Sequence, residues 1–451
     1  MVAQGGTSSF ARRITRRRWG TGAAALTAAA GLAACGTPSA APAARSGGPV
    51  TVMFMQNDSN TPQRPEGATR VALVEEFSKT NSLQITVDTS EAQGSSDNNK
   101  IKTLAAAGTP PDLYYTAYYF PAEFYLAGMT VDFDAELKGD KDWGRQRADI
   151  FPPMLESSLW AGKLIGLPGY TNNQAIIYNI GLLQQAGIAL PRQGWTWDDL
   201  KTTAQKFVRP DMVPLSVGWG TTWQHFLGTT GSRPISRDAR KITFDTPEML
   251  QVMELYLDLL KRGIALKTPN GVGLNETYQV AKNDTVFEVQ GPYRIPVIRQ
   301  KGGPDFGTVH VPLHPGKREI FASNGGHNLI VFKDVPPARR QAAAQVAKWL
   351  NGPHAQAQMC IQATSIPVSK AALDSKELQD YLKTDAAFKG FVDLAPNGWR
   401  WPTLPSWGKV FGALDNAVAT ILREEVGAKA GLATAQQEAQ TLLDEDVKLM
   451  G

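Results

Sequence analysis

The alternation of strand and helix patterns that begins at Val50 constrains the fold of this chain more than any other feature of its sequence. Val50–Met55 is an apolar run typical of a buried strand, and Val71, Val74 and Phe77 then recur at helical spacing. Leu83–Val87 follows as a second strand, in which apolar and polar residues alternate. This order predicts a β-α-β unit, in which two parallel strands are joined by a helix that covers one face of the sheet.

Two further segments extend the predicted sheet. A helix around Lys100–Ala107 is followed by a strand at Asp112–Tyr115. In parallel sheets of this class, ligands bind beyond the carboxyl ends of the strands. The chain has 451 residues, which exceeds the size at which one hydrophobic core stops growing, so we expect an α/β protein with two globular units.

Capping patterns predict where two later helices begin. Thr196–Asp199 resembles a capping box, and Thr246–Glu248 places a capping hydroxyl before a proline in the first helical turn. The second of these helices is expected to stop at Gly263.

The amino terminus resembles the export signal of a lipoprotein. Thr15–Trp19 is similar to a twin-arginine motif, and it precedes Gly22–Ala34, an apolar run too short to span a bilayer. Leu32–Gly36 resembles a lipobox, in which the thiol of Cys35 accepts a diacylglycerol and becomes the first residue of the mature protein. Gly36–Pro49 is rich in Ala, Pro, Ser and Gly and is expected to be a flexible tether outside the membrane. The alternative is an alanine-rich, disordered leader.

Charge and cysteine content exclude some classes of function. The first 34 residues carry five arginines and no acidic residue, so the rest of the chain has 41 basic and 42 acidic side chains. This near-neutral body has no basic stripe interleaved with aromatic residues, which argues against nucleic acid as a partner. Once Cys35 is acylated, only Cys360 remains as a thiol, so no internal disulfide is expected and Cys360 is interpreted as a buried apolar residue.

A series of short segments, in order along the chain, resembles the maltose-binding family of extracellular solute-binding proteins. The main matches are Ala161–Tyr170, Ile177–Asn179, Ala186–Ile188 and Gly194–Leu200. Further matches are Pro111–Asp112, Gln290–Tyr293, Asn324–Val331 and Val346–Pro353. The resemblance extends from Val50 to about Glu445.

The resemblance implies a two-lobed periplasmic-binding-protein type II fold, with hinge crossovers and a ligand cleft between the lobes. Residues 50–170 and 312–353 are expected to form the N-terminal lobe, and residues 171–311 and 354–451 the C-terminal lobe. It further implies the substrate-binding component of an ABC importer, which captures a carbohydrate outside the membrane and delivers it to the transmembrane subunits of the permease. Closure of the lobes by hinge rotation would accompany binding. A monomer without catalytic activity, cofactor or metal is expected.

Candidate ligand-binding residues are polar or aromatic, because a sugar offers hydroxyl groups and apolar C–H faces. Those that follow the first and third strands are Gln56, Asn57, Asp58, Tyr115, Thr116, Tyr118 and Tyr119. Those at the first crossover and at two glycine-containing turns are Asn172, Asn173, Gln290, Gly291, Tyr293, Gly326 and His327. Those in two loops rich in Gly, Pro and Trp are Trp219, Trp223, Trp399, Trp401 and Trp407. The alternatives are turn or capping roles for residues 56–58, core packing for the tryptophans and a core position for His327.

Two other functions remain open at this stage. A surface glycoside hydrolase needs two carboxylates across the scissile bond, and Glu123, Glu156 and Glu288 stand in no recognisable acid/base motif. A receptor of the same fold for a polyamine, a glycerol phosphodiester or a peptide is the second alternative. Metal binding has little support, because Pro312 prevents His310 and His314 from sharing a regular helix.

Overall fold

A computed structural model describes residues 49–56, 65–91, 98–217, 222–267, 279–300, 302–317 and 325–450. These residues belong to a single structural unit. The predicted leader with Cys35, and the candidate site residues Asn57, Asp58 and Trp219, lie outside the described residues.

The first lobe is built on a five-stranded sheet with the order β2-β1-β3-β11-β6. Its strands are β1 (Val50–Gln56), β2 (Ile85–Glu91), β3 (Leu113–Ala117), β6 (Leu167–Asn172) and β11 (Gly325–Val331). Strand β1 pairs in parallel with both β2 and β3, whereas β11 is antiparallel to β3 and β6. The predicted β-α-β unit is therefore confirmed, with Val52 and Phe54 of β1 fully buried.

The second lobe is built on a four-stranded sheet with the order β10-β7-β9-β8. Its strands are β7 (Ala175–Asn179), β8 (Leu215–Val217), β9 (Phe287–Gln290) and β10 (Phe306–Val309). A separate two-stranded ribbon consists of β4 (Leu159–Trp160) and β5 (Lys163–Leu164).

Helices connect and cover the two sheets. In the first half of the chain these are α1 (Glu66–Thr80), α2 (Asn98–Ala106), α3 (Pro121–Leu126), α4 (Phe133–Glu136), α5 (Trp143–Asp149), α6 (Pro152–Glu156), α7 (Ile180–Gln185), α8 (Trp197–Gln205) and α9 (Trp223–Gly228). In the second half they are α10 (Pro247–Lys261), α11 (Arg294–Gln300), α12 (Pro337–Leu350), α13 (Pro353–Ala363), α14 (Lys370–Leu373), α15 (Lys376–Thr384), α16 (Ala386–Val392), α17 (Trp407–Leu422) and α18 (Ala428–Met450).

Both predicted helix starts are confirmed. The Thr196 side chain accepts a hydrogen bond from the backbone of Asp199, whose carboxylate accepts one from the Thr196 backbone, which is a complete capping box for α8. Thr246 caps α10 by accepting from the backbone N–H of Met249. Helix α10 ends at Lys261, and Gly263 beyond it adopts a positive φ of 67°.

The chain crosses between the two sheets three times. In the last third of the chain, the crossing lies at a different place from the one predicted from the sequence. The first crossing is at Asn173 and Gln174, between β6 and β7, and the second follows β10. The chain does not cross at residue 354, however, because α13 packs on α1 and Ile366 forms two backbone hydrogen bonds of 2.9 and 3.0 Å with Thr171 of β6. Residues 353–384 therefore belong with the first lobe.

The third crossing begins between α15 and α16, because α16 packs on β10 of the second sheet and the Thr308 hydroxyl donates to the Ala387 oxygen at 2.6 Å. Helix α17 packs against α10 and α18 of the second lobe. The connecting residues 393–406 also contact the first lobe, since the Thr403 hydroxyl accepts a hydrogen bond of 2.9 Å from the Ala122 N–H. We name residues 399–407 the third-crossing segment.

The third-crossing segment contacts the first sheet at a β-bulge, through Arg400. The register between β11 and β6 shifts between His327 and Asn328, and Gly326 has a φ of 122°. The Arg400 side chain donates to the backbone oxygens of Gly325 and Tyr170, each at 3.1 Å. A Cβ atom on Gly326 would lie 2.2 Å from the Tyr170 oxygen and 2.4 Å from the Arg400 guanidinium, so only glycine fits there.

We predict that Gly326→Ala lowers the free energy of unfolding by roughly 2–5 kcal/mol, because it combines a strained φ with overpacking. The matched control is Gly412→Ala in the interior of α17, where an added Cβ meets no atom within 4 Å. That substitution should stabilise the protein by about 0.5–1 kcal/mol, as expected for a helical glycine. Urea unfolding of both variants tests the prediction, and equal stabilities would contradict it.

Candidate ligand-binding cleft

A cleft with a volume of about 330 Å³ lies between the two sheets. The first lobe contributes residues that follow β3, that end β6 and that begin β11. These residues lie at the same end of the sheet, because β11 is antiparallel to β3 and β6. The second lobe contributes α9, the turn after β9, the third-crossing segment and the start of α17. The lining residues are Glu66, Ala117, Tyr118, Tyr119, Tyr170, Asn172, Asn173, Gln174, Gln224, His225, Pro292, Tyr293, Gly325, Gly326, His327, Thr364, Ser365, Trp401, Trp407 and Phe411.

An aromatic stack spans the cleft from one lobe to the other. The rings of Tyr119 and Trp407 are 3.6 Å apart and inclined by only 11°. The ring of Phe411 also stacks on Trp407, with ring centroids 5.0 Å apart and an angle of 9° between the planes. Trp407 and Phe411 are four residues apart on α17, which places both on the same face of the helix. Flat aromatic surfaces of this kind can pack against the apolar face of a ligand.

A second aromatic layer forms the floor of the cleft on the first lobe. His327 stacks on Tyr170 at 5.3 Å, and its Nδ1 forms a hydrogen bond of 2.9 Å with the Tyr170 hydroxyl. Tyr115 lies beneath His327, with ring centroids 5.0 Å apart and an angle of 5°. The guanidinium of Arg70 covers the Tyr115 ring at 4.0 Å. Tyr115 therefore supports the floor and does not line it.

Several buried polar atoms of the lining residues have no hydrogen-bond partner in the described part of the chain. They are Asn173 Oδ1, Gln174 Oε1, His225 Nδ1, Ser365 Oγ and Trp407 Nε1. Because a buried polar group without a partner is costly, such atoms gathered in one cleft indicate a ligand that pairs with them.

His225 is neutral in this environment. Its side chain is buried in α9, and burial lowers the pKa of the imidazole to about 3. The ring therefore offers a hydrogen-bonding nitrogen to the cleft without adding positive charge.

Nine of the candidate residues line the cleft: Tyr118, Tyr119, Asn172, Asn173, Tyr293, Gly326, His327, Trp401 and Trp407. The remaining described candidates lie behind the lining or in the core. Gln56 accepts a hydrogen bond of 2.8 Å from Arg70, and Thr116 bonds to Asn98. Gln290, which precedes Gly291, accepts a hydrogen bond of 2.5 Å from the Tyr293 hydroxyl. It thereby positions Tyr293, which lines the cleft.

Two of the candidate tryptophans belong to the core. Trp223 is completely buried on α9, and its indole donates to Asp415 at 3.2 Å. Trp399 is 1% exposed and packs against Trp401. Loop composition placed these residues in the candidate site, but both side chains belong to one buried hydrophobic cluster.

Several lining residues were not predicted from the sequence. Gln174, His225, Thr364, Ser365 and Phe411 are in this group. Phe411 carried a detectable signal, because it follows Trp407 at helical spacing. Thr364 and Ser365 carried none, because only the pairing of Ile366 with Thr171 brings them to the cleft.

The carboxylates considered for hydrolysis lie elsewhere. Glu123 pairs with Lys102, and buried Glu288 accepts from Arg294 at 2.9 Å. Neither these nor Glu156 line the cleft. Of the two histidines considered for metal, His310 uses both ring nitrogens on backbone groups of Gly194 and Val311. Within the described ranges, no group of three or more potential metal ligands occurs.

No helix in the described ranges combines the length and the apolar character needed to cross a membrane.

Comparison with known proteins identifies relatives of this chain. Residues 72–390 match the model of a bacterial extracellular solute-binding protein family. The maltotriose-binding protein of Pyrococcus abyssi is 23% identical over 334 residues, which cover 72% of this chain and 69% of that protein.

Solved structures share the fold. The cyclic alpha-maltosyl-1,6-maltose binding protein of Arthrobacter globiformis is 19% identical, with a TM-score of 0.76 over 88% of this chain and 100% of that one. A Mycobacterium tuberculosis protein in complex with glycerophosphocholine is 17% identical, with a TM-score of 0.70 over 89% of this chain and 100% of that one. At these identities the likeness shows the two-lobed α/β fold alone.

We predict that His225 makes the protein less stable in acid. Its pKa is about 3 in the folded state and about 6.5 in the unfolded chain. The unfolded state therefore binds more protons between these values, so the stability that is present above pH 6.5 is lost as the pH falls towards 3. Urea unfolding at pH 7.0 and pH 4.5 should show a loss on the order of 2 kcal/mol that is absent in His225→Asn. Equal losses in the two proteins would refute this role.

Proposed function

Because the chain belongs to the family of bacterial extracellular solute-binding proteins, we propose that it is the substrate-binding component of an ABC importer and that its ligand is a carbohydrate. The observation that carries the proposal is the combination, in one cleft, of stacked aromatic rings with buried polar atoms that have no partner in the described part of the chain.

This combination matches the chemistry of a sugar. A pyranose ring has an apolar C–H face that packs on an aromatic ring, and its hydroxyl groups both donate and accept hydrogen bonds. The Tyr119–Trp407 pair offers the aromatic surface, and Asn173, Gln174 and Ser365 offer uncharged polar atoms. The name of the maltotriose-binding relative agrees with this ligand class.

Charge favours a sugar over a phosphodiester or a polyamine. No Lys or Arg side chain is among the described lining residues, although a phosphodiester would call for one. The guanidinium of Arg400 lies behind the lining and donates to backbone oxygens. A polyamine would call for several carboxylates, and Glu66 is the only acidic residue in the described lining.

The two-sided lining supports a role in transport. Since Tyr119 belongs to the first lobe and Trp407 to the second, a ligand between the lobes contacts both and stabilises the closed form. The permease subunits would then recognise that closed form and receive the sugar. Neither Glu123 nor Glu288 lies where a glycosidic bond would be cleaved, which supports a receptor without hydrolytic activity.

The location and anchor form part of the same proposal. The twin-arginine motif and lipobox support export followed by acylation of Cys35, which would tether a monomeric receptor to the outer face of the cell membrane.

The ligand class is tested with glucose, maltose, maltotriose and mannitol. At least one of these should raise the melting temperature, because it binds only the folded state, and it should be recovered uncleaved. Trp407→Ala should then weaken its binding roughly 30- to 1000-fold, by loss of a stacked surface. The matched control is Trp399→Ala, which should cost about 3–5 kcal/mol of stability as a core substitution. Loss of stability in both variants without a specific loss of affinity would remove the main support for a sugar ligand.

The anchor is tested by Cys35→Ser in the full-length protein expressed in a bacterium. The variant should leave the membrane fraction, because the lipobox offers no other thiol for acylation. Fractionation followed by a high-salt wash measures this. A variant that still sediments with membranes would show that Cys35 is not the anchor.

A further inference from the structure

Three polar residues form a group at the hinge end of the cleft. Asn173 and Gln174 are the two residues of the first crossing, and Ser365 follows the end of α13. The antiparallel bridge between Thr171 and Ile366 places the residues after Thr171 beside those before Ile366. All three side chains line the cleft, so the crossing and the α13 turn face the same volume.

The backbone at this position is strained. Thr364, immediately before Ser365, has a φ of 52°, which is rare for a β-branched residue. The left-handed conformation ends α13 and turns the chain back along β6, so that Ser365 faces the cleft. Strain of this kind persists where the surrounding structure holds it, and it concentrates at binding sites.

The polar atoms of the group are acceptors without partners in the described part of the chain. The Asn173 amide nitrogen donates to the Phe391 oxygen at 2.8 Å, which orients the amide and leaves its Oδ1 as a buried acceptor. Gln174 Oε1 and Ser365 Oγ are also buried and unpaired. Gln356, a buried glutamine outside the cleft, instead uses both ends of its amide, since it donates to the Leu350 oxygen and accepts a hydrogen bond of 3.2 Å from the Val368 N–H.

We infer that Asn173, Gln174 and Ser365 form a subsite at the hinge end of the cleft, whose acceptor atoms bind uncharged hydroxyl groups of the ligand. The Asn173 and Gln174 amide oxygens can only accept, so each requires a donor hydrogen from the ligand, and such oxygens repel an anionic group. The Ser365 hydroxyl can accept or donate. The subsite rests on the proposed function and goes beyond it, because it assigns the hydrogen-bonding chemistry that the ligand needs at the hinge end of the cleft.

The experiment uses Ser365→Ala and Gln174→Met, which remove one acceptor each while keeping the size of the side chain similar. The matched control is Thr130→Val, since the Thr130 hydroxyl is likewise buried and unpaired but lies outside the cleft. Removing an unpaired buried polar group should leave the urea midpoint of all three variants equal or higher. Calorimetric titration with glucose, maltose, maltotriose, mannitol and glycerophosphocholine measures the affinities.

We expect at least one sugar to bind the wild type, with affinity roughly 3- to 10-fold weaker in Ser365→Ala and in Gln174→Met but unchanged in Thr130→Val. If a sugar binds and neither cleft variant weakens it, the subsite is wrong and the proposed function stands. A loss of affinity that occurs only with a lower urea midpoint assigns these residues to packing and also overturns the subsite. If no sugar binds, or only glycerophosphocholine does, the proposed function fails and the subsite fails with it.

Discussion

The geometry of the cleft depends on the contacts of one buried guanidinium group. Arg400 is 5% exposed, donates to the backbone of Gly325 and Tyr170, and lies 4.3 Å from the Tyr118 ring. Burial lowers its pKa to about 10, so the group still carries its charge at neutral pH. Carbonyl oxygens and an aromatic face offset the cost of removing that charge from water. The same contacts require glycine at position 326 and hold the bulge between β6 and β11 in place.

The third-crossing segment links this charge to the second lobe. One residue after Arg400, the Trp401 indole donates to Gln224 at 2.5 Å, and Trp407 at the end of the segment stacks on Tyr119 across the cleft. A short stretch of chain therefore contacts both lobes and contributes to the cleft lining. Any change in the angle between the lobes must alter these contacts, so the segment would couple a bound ligand to the proposed closure of the lobes.

Side chains of the same chemical type have different roles here because of what surrounds them. Gln56 is tied to Arg70, whereas the Gln174 oxygen faces the cleft unpaired in the described structure. Trp399 and Trp407 both bury an indole nitrogen that has no partner among the described residues, but only Trp407 lines the cleft. The distinction between a packing residue and a ligand-binding residue therefore lies in the remaining hydrogen-bonding capacity and in access to the cleft.

The sequence alone determined the α/β class, the first β-α-β unit and the caps of α8 and α10, because these depend on periodicity and on contacts within a few residues. It also indicated the family and Tyr119, Asn173, His327 and Trp407 of the cleft lining. Only the tertiary structure decided that α13 belongs to the first lobe, that Trp223 and Trp399 are core residues and that Ser365 reaches the cleft. Each of these depends on contacts between residues far apart in the chain, such as Ile366 with Thr171. Patterns within a short stretch of sequence do not predict such contacts.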